Sequence, residues 1–303
     1  MKVSYSFIIP HKNCPDLLRR CVDSIPQRDD IQIIVVDDNS DEGNKPHLDR
    51  KDVEVILLDA EHSKGAGRAR NLGLEHAKGM WLLFADADDY YTGNLNNLLD
   101  KYAADYSTEI VYLNACIFDE NGCTKECAIN KIIRNYINGI PGSEMELRYN
   151  FWTPWSRMVK RDKVKEHHIQ FDEIPAGNDL IFGLKCSKVC KQIAIEEKLI
   201  YLYYRPNKKD SQTDQNRNKE MLNARLKMTA DMSSIYKEVC YPPIPSFFNI
   251  VFHSGYSKGL NFNKKIKVYH ESLSTNKVLF IVDIYRYMFR KIYYKKNKRI
   301  RVF

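Results

Sequence analysis

Paired acidic residues in the first half of the chain are suited to hold a divalent cation. Asp86 and Asp88 stand on alternate positions directly after the apolar run 80–84. Two carboxylates so spaced at the end of a strand can bind one hard cation, and that cation can neutralise a diphosphate leaving group. An Asp-x-Asp pair alone arises often by chance in loops, so the prediction depends on its place after a buried strand.

Two further polar clusters follow neighbouring elements. The carboxylate of Asp38, after the apolar run 31–36, can accept hydrogen bonds from a nucleobase or ribose; the alternative is a turn or helix cap. Lys64, Arg68 and Arg70 surround a Gly-Ala-Gly turn. Amides at a helix start with arginine nearby suit an anionic diphosphate, and the alternative is a solvated first turn.

Short apolar runs alternate with helical patterns in the first 113 residues. This alternation predicts an α/β fold with a mostly parallel, Rossmann-like sheet and helices on both faces. The predicted strands are 3–9, 31–36, 53–58, 80–84 and 109–113, and the predicted helices are 15–25, capped by Asn13, and 66–77. Because ligands of such sheets lie beyond the carboxyl ends of the strands, the three polar clusters predict one site.

The later part of the chain has weaker patterns. Residues 114–150 give no regular pattern, whereas 179–189 predicts a helix and 193–204 predicts a pair of strands. A helical pattern begins again at residue 221. The sequence therefore predicts an α/β domain followed by a mainly helical region.

Five segments carry a resemblance to a known family. In order they are IIPHKN, IIVVDDNSD, GAGRARNLGL, WLLFADADD and AGNDLIFGLK, and over residues 3–205 they resemble the motif series of family 2 glycosyltransferases. The resemblance implies a GT-A fold and an inverting transfer of a sugar from a nucleotide-sugar, by default a UDP-sugar. The implied acceptor is a hydroxyl of a glycan or lipid-linked glycan in cell-surface polysaccharide biosynthesis.

The resemblance also implies roles for particular residues. Asp179 would be the catalytic base, with a helix cap as the alternative, and Asp86 and Asp88 would hold Mn²⁺ or Mg²⁺. Trp155 and Asn178 would lie on the acceptor side, and a core position is the alternative for Trp155. The residues implied to bind the nucleotide-sugar are Pro10, Asp38, Lys64, Arg70, Asp86, Asp88 and Arg205.

Departures from the family pattern lie at two of these places. His11 and Lys12 stand where the family has Tyr-Asn, so the nucleobase pocket would be shaped differently. Asn178 replaces the acidic neighbour that usually precedes the base. The implied domains are a GT-A domain at 1–205, with a nucleotide-sugar half at 1–113 and an acceptor half at 114–205, and a helical region at 206–303.

Positive charge is concentrated at the end of the chain. Residues 251–303 contain 13 Lys/Arg against Glu271 and Asp283, which leaves 34 Lys/Arg against 37 Asp/Glu in residues 1–250. Within 277–303 the cations alternate with aromatic residues, a pattern typical of a helix on an anionic membrane surface. The alternative is a docked helix with a solvated basic face. The acidic balance of 1–250 argues against nucleic-acid binding.

Other classes of protein fit less well. A sugar nucleotidyltransferase would need a glycine-rich loop where Pro10 and His11 follow the first strand. A catalytically silent nucleotide-sugar-binding or scaffold protein would not need Asp86, Asp88 and Asp179 together. The opening residues contain no long apolar run and the eight cysteines lack zinc spacing, so we expect a cytoplasmic enzyme with reduced thiols, peripheral at most to the inner face of the plasma membrane.

Overall fold

The chain has two compact units. A computed structural model describes residues 3–119, 121–122, 124–174, 177–205, 219–242, 245–253 and 260–296. The first unit comprises Met1–Glu173 and Asn178–Asn207, and the second comprises Ile174–Gly177 and Lys208–Phe303.

The first unit alternates strands and helices, as the sequence predicts. Its strands are β1 (Tyr5–His11), β2 (Ile31–Asp37), β3 (Val53–Leu57), β4 (Trp81–Phe84), β5 (Tyr90–Tyr91), β6 (Ile110–Phe118), β7 (Thr124–Glu126), β8 (Arg157–Lys160) and β9 (Ile193–Tyr204). Its helices are α1 (Pro15–Asp23), α2 (Ala66–His76), α3 (Leu95–Tyr102), α4 (Ala128–Ile137), α5 (Ser143–Tyr149), α6 (Arg161–Glu166) and α7 (Leu180–Val189).

All these strands form one mixed sheet. The order is β3-β2-β1-β4-β8-β6-β9-β5, and β7 pairs with β6. Strands β1 to β4 are parallel, but β8 lies antiparallel between β4 and β6. The predicted α/β class is confirmed, and the sheet is parallel in its first half and mixed beyond it. The pair of strands expected at 193–204 is one strand, β9, whose register against β6 shifts near Asn114.

Asn13 connects the loop after β1 to the loop after β2. Helix α1 begins after Cys14, and the prediction that Asn13 caps it is wrong. Asn13 adopts a left-handed conformation with φ of 56°. Its amide donates to Ser40 Oγ at 2.8 Å, and its Oδ1 accepts from the Asp41 amide at 2.8 Å. These bonds tie the loop after β1 to the loop after β2, and the second of these loops carries Asp38.

The stretch without a readable pattern contains two helices and a short strand. Ile129, Ile132 and Ile133 form the buried face of α4. In α5, the Arg148 guanidinium donates to the carbonyls of Ser187 at 2.9 Å and Cys190 at 2.7 Å, at the end of α7. A cation at this position satisfies carbonyls that the helix itself leaves unpaired, so it anchors the far end of α7.

The second unit is helical in its described part. Its elements are α8 (Lys219–Glu238), a π-helical turn (Asn249–His253), α9 (Phe262–Thr275) and α10 (Phe280–Lys296). Phe247, Val251, Tyr269 and Leu273 form a buried apolar cluster. Among the described helices, none combines the length and the apolarity that spanning a bilayer requires.

One fully buried carboxylate holds this helical unit together. Asp283 of α10 accepts hydrogen bonds from Ser246 Oγ at 3.0 Å, from the Phe247 and Phe248 amides at 3.0 and 2.9 Å, and from the Tyr269 hydroxyl at 3.0 Å. Burial and the charge of Asp283 raise the pKa of Tyr269, which therefore stays a hydrogen-bond donor. Through these bonds α10 is attached to α9 and to residues 246–248, which precede the π-helical turn.

Replacing Asp283 by alanine is expected to destabilise the second unit. The change leaves four buried donors without an acceptor, and we expect it to lower the free energy of unfolding by about 3 kcal/mol. Thermal unfolding with limited proteolysis of the second unit measures the loss. The control is Asp231→Ala, which removes an ion pair of 3.4 Å with Lys227 on the surface of α8. Equal midpoints for the two variants would contradict the anchoring role.

Candidate active site

The ends of β1 and β2 are joined by a buried hydrogen-bond network. The Cys14 amide donates to His11 Nε2 at 3.2 Å, so the proton of the imidazole is on Nδ1. His11 Nδ1 then donates to Asp37 Oδ1 at 2.7 Å, and Asp37 also accepts from the Ser40 amide at 3.0 Å and the Ser40 hydroxyl at 2.5 Å. His11 and Asp37 were missed as a pair by sequence reasoning, and their role is to shape the loops that carry Asp38.

Asp38 lies between the end of β2 and the start of α2. Its Oδ1 accepts from Ser63 Oγ at 2.8 Å and from the Gly65 amide at 3.2 Å, and Lys12 Nζ lies 3.4 Å from its Oδ2. Gly65 has a φ of 84°, a conformation that glycine adopts without strain. The buried carboxylate therefore fastens the glycine turn to the sheet. The nucleobase role that the resemblance implies for Asp38 stays a prediction.

Arg70 brings two predicted parts of the site together. Its guanidinium donates to Asp86 Oδ1 at 2.5 Å and to Asn178 Oδ1 at 2.8 Å, and it lies 5.4 Å from the centre of the Phe171 ring. Arg70 itself is buried. One cation thus connects the acidic loop after β4 with the residue that precedes Asp179.

The start of α2 also packs closely against the segment before α7. A Cβ on Gly67 would lie 2.1 Å from the Asp172 carbonyl oxygen and 3.1 Å from the Asn178 Cβ. The Asp172 amide in turn donates to the Asn178 carbonyl at 3.1 Å. Only a glycine allows this approach of the two backbones, so α2 and the turn before Asp179 are in contact.

A tyrosine of β9 fixes the acidic loop. The Asp86 amide donates to the Tyr201 hydroxyl at 3.0 Å, and that hydroxyl donates to Asp89 Oδ2 at 2.6 Å. The Tyr204 amide donates to Asp89 Oδ1 at 2.7 Å. Burial and the nearby charges of Asp86 and Asp88 raise the pKa of Asp89 well above its usual value. Sequence reasoning did not single out Asp89 or Tyr201, whose contact joins residues 112 positions apart.

The donor set fits a divalent cation. Burial and the charge of Asp86 raise the pKa of Asp88 to about 6, so a positive charge bound at this carboxylate would be favourable. Within the described residues no third histidine, cysteine or acidic side chain completes a metal cage with them. A cation held by Asp86 and Asp88 would take its other ligands from phosphate and water, which is how Mg²⁺ binds at nucleotide sites.

The predicted base lies at the start of α7. Asp179 occupies the N-cap position, with φ of −86° and ψ of −23°, yet its carboxylate accepts no capping hydrogen bond from the described amides of that helix. Asp179 is half-buried, and its neighbour Asn178 contacts Arg70. The geometry therefore gives no support to the helix-cap alternative, and Asp179 follows directly after the residue that contacts Arg70.

Trp155 is a packing residue in this conformation. It is 6% exposed and stacks on Tyr201 and Tyr203, with ring centroids 5.0 and 5.4 Å apart. A sugar stacks on an exposed aromatic face, so the arrangement favours the core alternative.

The three remaining residues that were predicted to bind the nucleotide-sugar differ in exposure. Pro10 is buried within β1 and pairs with Val36, whereas Lys64 is exposed and lies 3.8 Å from Glu173. Arg205 has an exposed side chain, and its amide donates to the Phe118 carbonyl at 2.9 Å. Of the three, Lys64 and Arg205 have cationic side chains open to an anionic ligand.

Comparisons with known proteins identify the class of enzyme. Residues 6–153 match the family described as Glycosyl transferase family 2. The described chain resembles S. aureus TarS, solved in complex with UDP-GlcNAc, with a TM-score of 0.66 and 17% identity over 90% of this chain and 80% of that one. Residues 6–153 are thus similar to the family 2 glycosyltransferases, and the chain has the GT-A fold and is a glycosyltransferase.

Curated relatives are glycosyltransferases as well. The chain is 26% identical to glycosyltransferase GlyG of Streptococcus pneumoniae over 224 residues, which cover 66% of this chain and 70% of the relative. It is 36% identical over 89 residues to WfaP of Escherichia coli, a UDP-Glc:alpha-D-GlcNAc-diphosphoundecaprenol beta-1,3-glucosyltransferase. That match covers 28% of this chain and 36% of WfaP.

The raised pKa of Asp88 predicts the pH dependence of metal binding. Protons and a cation compete for this carboxylate, so affinity for Mn²⁺ should rise with pH up to about 6 and then level off. Below that value, each pH unit should weaken binding by about tenfold. Calorimetric titration with MnCl₂ in the presence of UDP, repeated from pH 5 to pH 8, measures how the affinity for Mn²⁺ depends on pH.

In the metal-free protein, the contribution of Asp88 to stability should fall as pH rises, whereas its contribution to metal binding should rise. A carboxyl whose pKa is about 6 in the folded chain, against 3.8 normally, binds protons more tightly when folded. Its contribution to stability is therefore present at low pH and is lost as pH rises from about 4 to about 6. The difference in thermal midpoint between the wild type and Asp88→Asn isolates this contribution. A pH-independent difference would show that Asp88 has an ordinary pKa.

Proposed function

We propose that the chain transfers a sugar from a UDP-sugar to a hydroxyl of a glycan or lipid-linked glycan, with inversion at the anomeric carbon. The observation that supports it most is the arrangement around Arg70, which contacts both Asp86 and Asn178 beside Asp179. Donor-side and base-side groups are thus adjacent. TarS is solved with UDP-GlcNAc and WfaP is named for UDP-Glc, which supports a uridine nucleotide.

The acceptor proposal rests on the relatives. WfaP is named for a sugar carried on diphosphoundecaprenol. A lipid-linked glycan of cell-surface polysaccharide biosynthesis is therefore the acceptor class that we propose. No described feature of the chain selects a particular sugar, so the test uses a panel of nucleotide-sugars.

The chemistry requires one base and a stabilised leaving group. As the acceptor oxygen attacks the anomeric carbon, its proton passes to the Asp179 carboxylate, and the bond to the diphosphate breaks with its electron pair on phosphate oxygen. Arg70 and the amides at the start of α2 would bind the diphosphate. A divalent cation on Asp86 and Asp88 would supply further charge neutralisation. A single displacement of this kind inverts the sugar.

Replacing Asp179 by asparagine tests the base. The amide keeps the size and much of the hydrogen bonding of the carboxylate but cannot accept a proton, so turnover should fall by roughly 100-fold to 10,000-fold. Donor affinity should remain, because Asp38, Arg70, Asp86 and Asp88 are unchanged. Turnover and calorimetric donor binding are measured on one preparation.

The matched control for this test is Asp162→Asn. Asp162 is an exposed acidic residue in the first turn of α6, and its carboxylate lies 3.9 Å from Arg161. Near wild-type turnover of Asp179→Asn would eliminate Asp179 as the base. Loss of both turnover and donor binding would instead assign it a structural or donor-site role.

A screen of nucleotide-sugars tests the function itself. A donor that binds only the folded chain raises its thermal midpoint by mass action. Release of free sugar and UDP from the stabilising donor, with Mn²⁺ and with a chelator, then separates an enzyme from a silent binding protein. A chain that binds donors but neither transfers nor hydrolyses them would be a scaffold. Full activity in excess chelator would remove the cation from the proposal.

We further propose that the enzyme works at the cytoplasmic face of an anionic membrane, bound through α10. Ile281, Tyr285, Met288 and Ile292 lie at spacings of four, three and four residues and are 74%, 67%, 56% and 58% exposed. This spacing places them on one side of the helix. Apolar side chains on one face with cations beside them are typical of helices that lie in the headgroup region of a bilayer.

Variants of the exposed face test membrane binding without removing Asp283. Ile281→Asn with Met288→Asn should weaken binding to phosphatidylglycerol vesicles by at least about tenfold, because two apolar side chains no longer enter the bilayer. Added salt should weaken binding of the wild type. Ile137→Asn with Ile140→Asn, at positions each 47% exposed in the first unit, is the control. If the wild type does not bind such vesicles at low salt, α10 is only a docked helix.

A further inference from the structure

Arg20 of α1 lies in a group of three aromatic rings beside the acidic loop. The centre of its guanidinium is 5.1 Å from the Tyr90 ring, 5.3 Å from the Phe118 ring and 5.4 Å from the Tyr204 ring. The rings belong to β5, β6 and β9, so one cation joins three strands and a helix. Aromatic faces attract a cation electrostatically, and this attraction strengthens as water is excluded.

The guanidinium makes a directed contact as well. Its Nη2 donates a hydrogen bond to the backbone carbonyl of Asp88. Its Nε is buried and has no hydrogen-bond partner among the described residues. A guanidinium can donate five hydrogen bonds. Arg20 therefore interacts through its charge with the aromatic rings and through one hydrogen bond with Asp88, and its Nε makes no hydrogen bond to the described residues.

This contact completes the fixation of the acidic loop. The Asp86 amide is held by Tyr201, and the Asp89 carboxylate is held by Tyr201 and the Tyr204 amide. Between these two points, the backbone of Asp88 is held by Arg20. The two carboxylates that would bind the cation are thus carried on a backbone that is held at the Asp86 amide and at the Asp88 carbonyl by residues outside the loop.

We propose that Arg20 is a positioning residue for the metal site: it orients the Asp86–Asp88 backbone so that both carboxylates can bind one cation, and it contacts neither cation nor substrate. The inference rests on the proposed function, since it needs the cation to bind with the nucleotide. Residues that orient metal ligands typically change metal affinity by about 10-fold to 100-fold when they are removed. Arg20 should act in this way.

Three variants separate positioning from packing. Arg20→Met keeps most of the apolar stem but removes the charge and the donor, whereas Arg20→Lys keeps the charge. Tyr90→Leu removes one ring and leaves Arg20 in place. The control is Arg19→Met, one residue away on α1, where the side chain is 40% exposed and lies 3.4 Å from Asp16.

The main measurement is binding without turnover. Calorimetry of UDP binding is carried out over a range of MnCl₂ concentrations and again in excess chelator. Arg20→Met should raise the Mn²⁺ concentration needed for half-maximal binding by roughly tenfold or more. UDP binding in chelator should be unchanged. Arg20→Lys should recover part of the loss, Tyr90→Leu should show a smaller loss, and Arg19→Met should match the wild type.

Kinetics and stability distinguish the remaining outcomes. Saturating Mn²⁺ should restore most of kcat in Arg20→Met, because the ligands themselves are intact. A lower thermal midpoint with an unchanged Mn²⁺ requirement would assign Arg20 to packing and overturn the inference. Equal weakening of UDP binding with and without the metal would also overturn it. If Arg20→Met does not fold, Arg20→Lys and Tyr90→Leu give the same comparison. A wild type that binds no UDP with Mn²⁺ would refute the proposed function itself.

Discussion

The placing of three carboxylates in one loop, with Asp89 fully buried, is the constraint on which the site of the first unit depends. Asp86, Asp88 and Asp89 follow the end of β4, and burial together with their neighbours' charges raises the pKa of Asp88 and of Asp89. Arg70 from α2 and Arg20 from α1 bring positive charge to this loop. These partners come from separate elements, so the loop acquires its shape only when the sheet has formed. The shape of the site therefore depends on contacts between residues distant in sequence.

The sequence was informative where the fold is regular. Strands β1 and β4 are buried along their whole length, and such strands have continuous apolar runs that need no partner to be recognised. Asp38, Arg70 and Asp86 were predicted because parallel strands place their carboxyl ends at one edge of a sheet. The family resemblance alone assigned Asn178 to the site, and in the structure its Oδ1 accepts a hydrogen bond from Arg70. Roles of these residues in donor and acceptor binding remain proposals.

The parts that could not be predicted depend on partners distant in sequence. Strand β8 has only four residues, and two of them are Arg157 and Lys160. These side chains are buried because carbonyls accept from them, such as that of Gly183, which lies 2.9 Å from Arg157 Nη1. No local pattern indicates such an acceptor. The α4 pattern was different, since its apolar stripe was present in the sequence and was overlooked.

The close approach at Gly67 gives the site a dependence on volume as well as on charge. The carbonyl of Asp172 occupies the space that any side chain at position 67 would need, and Asn178 lies just beyond it. A single methyl group there would act as a wedge between the helix that carries Arg70 and the turn that leads to Asp179. The spacing between the helix of Arg70 and the turn of Asn178, which would carry the two sides of the proposed reaction, therefore depends on the absence of a side chain at Gly67.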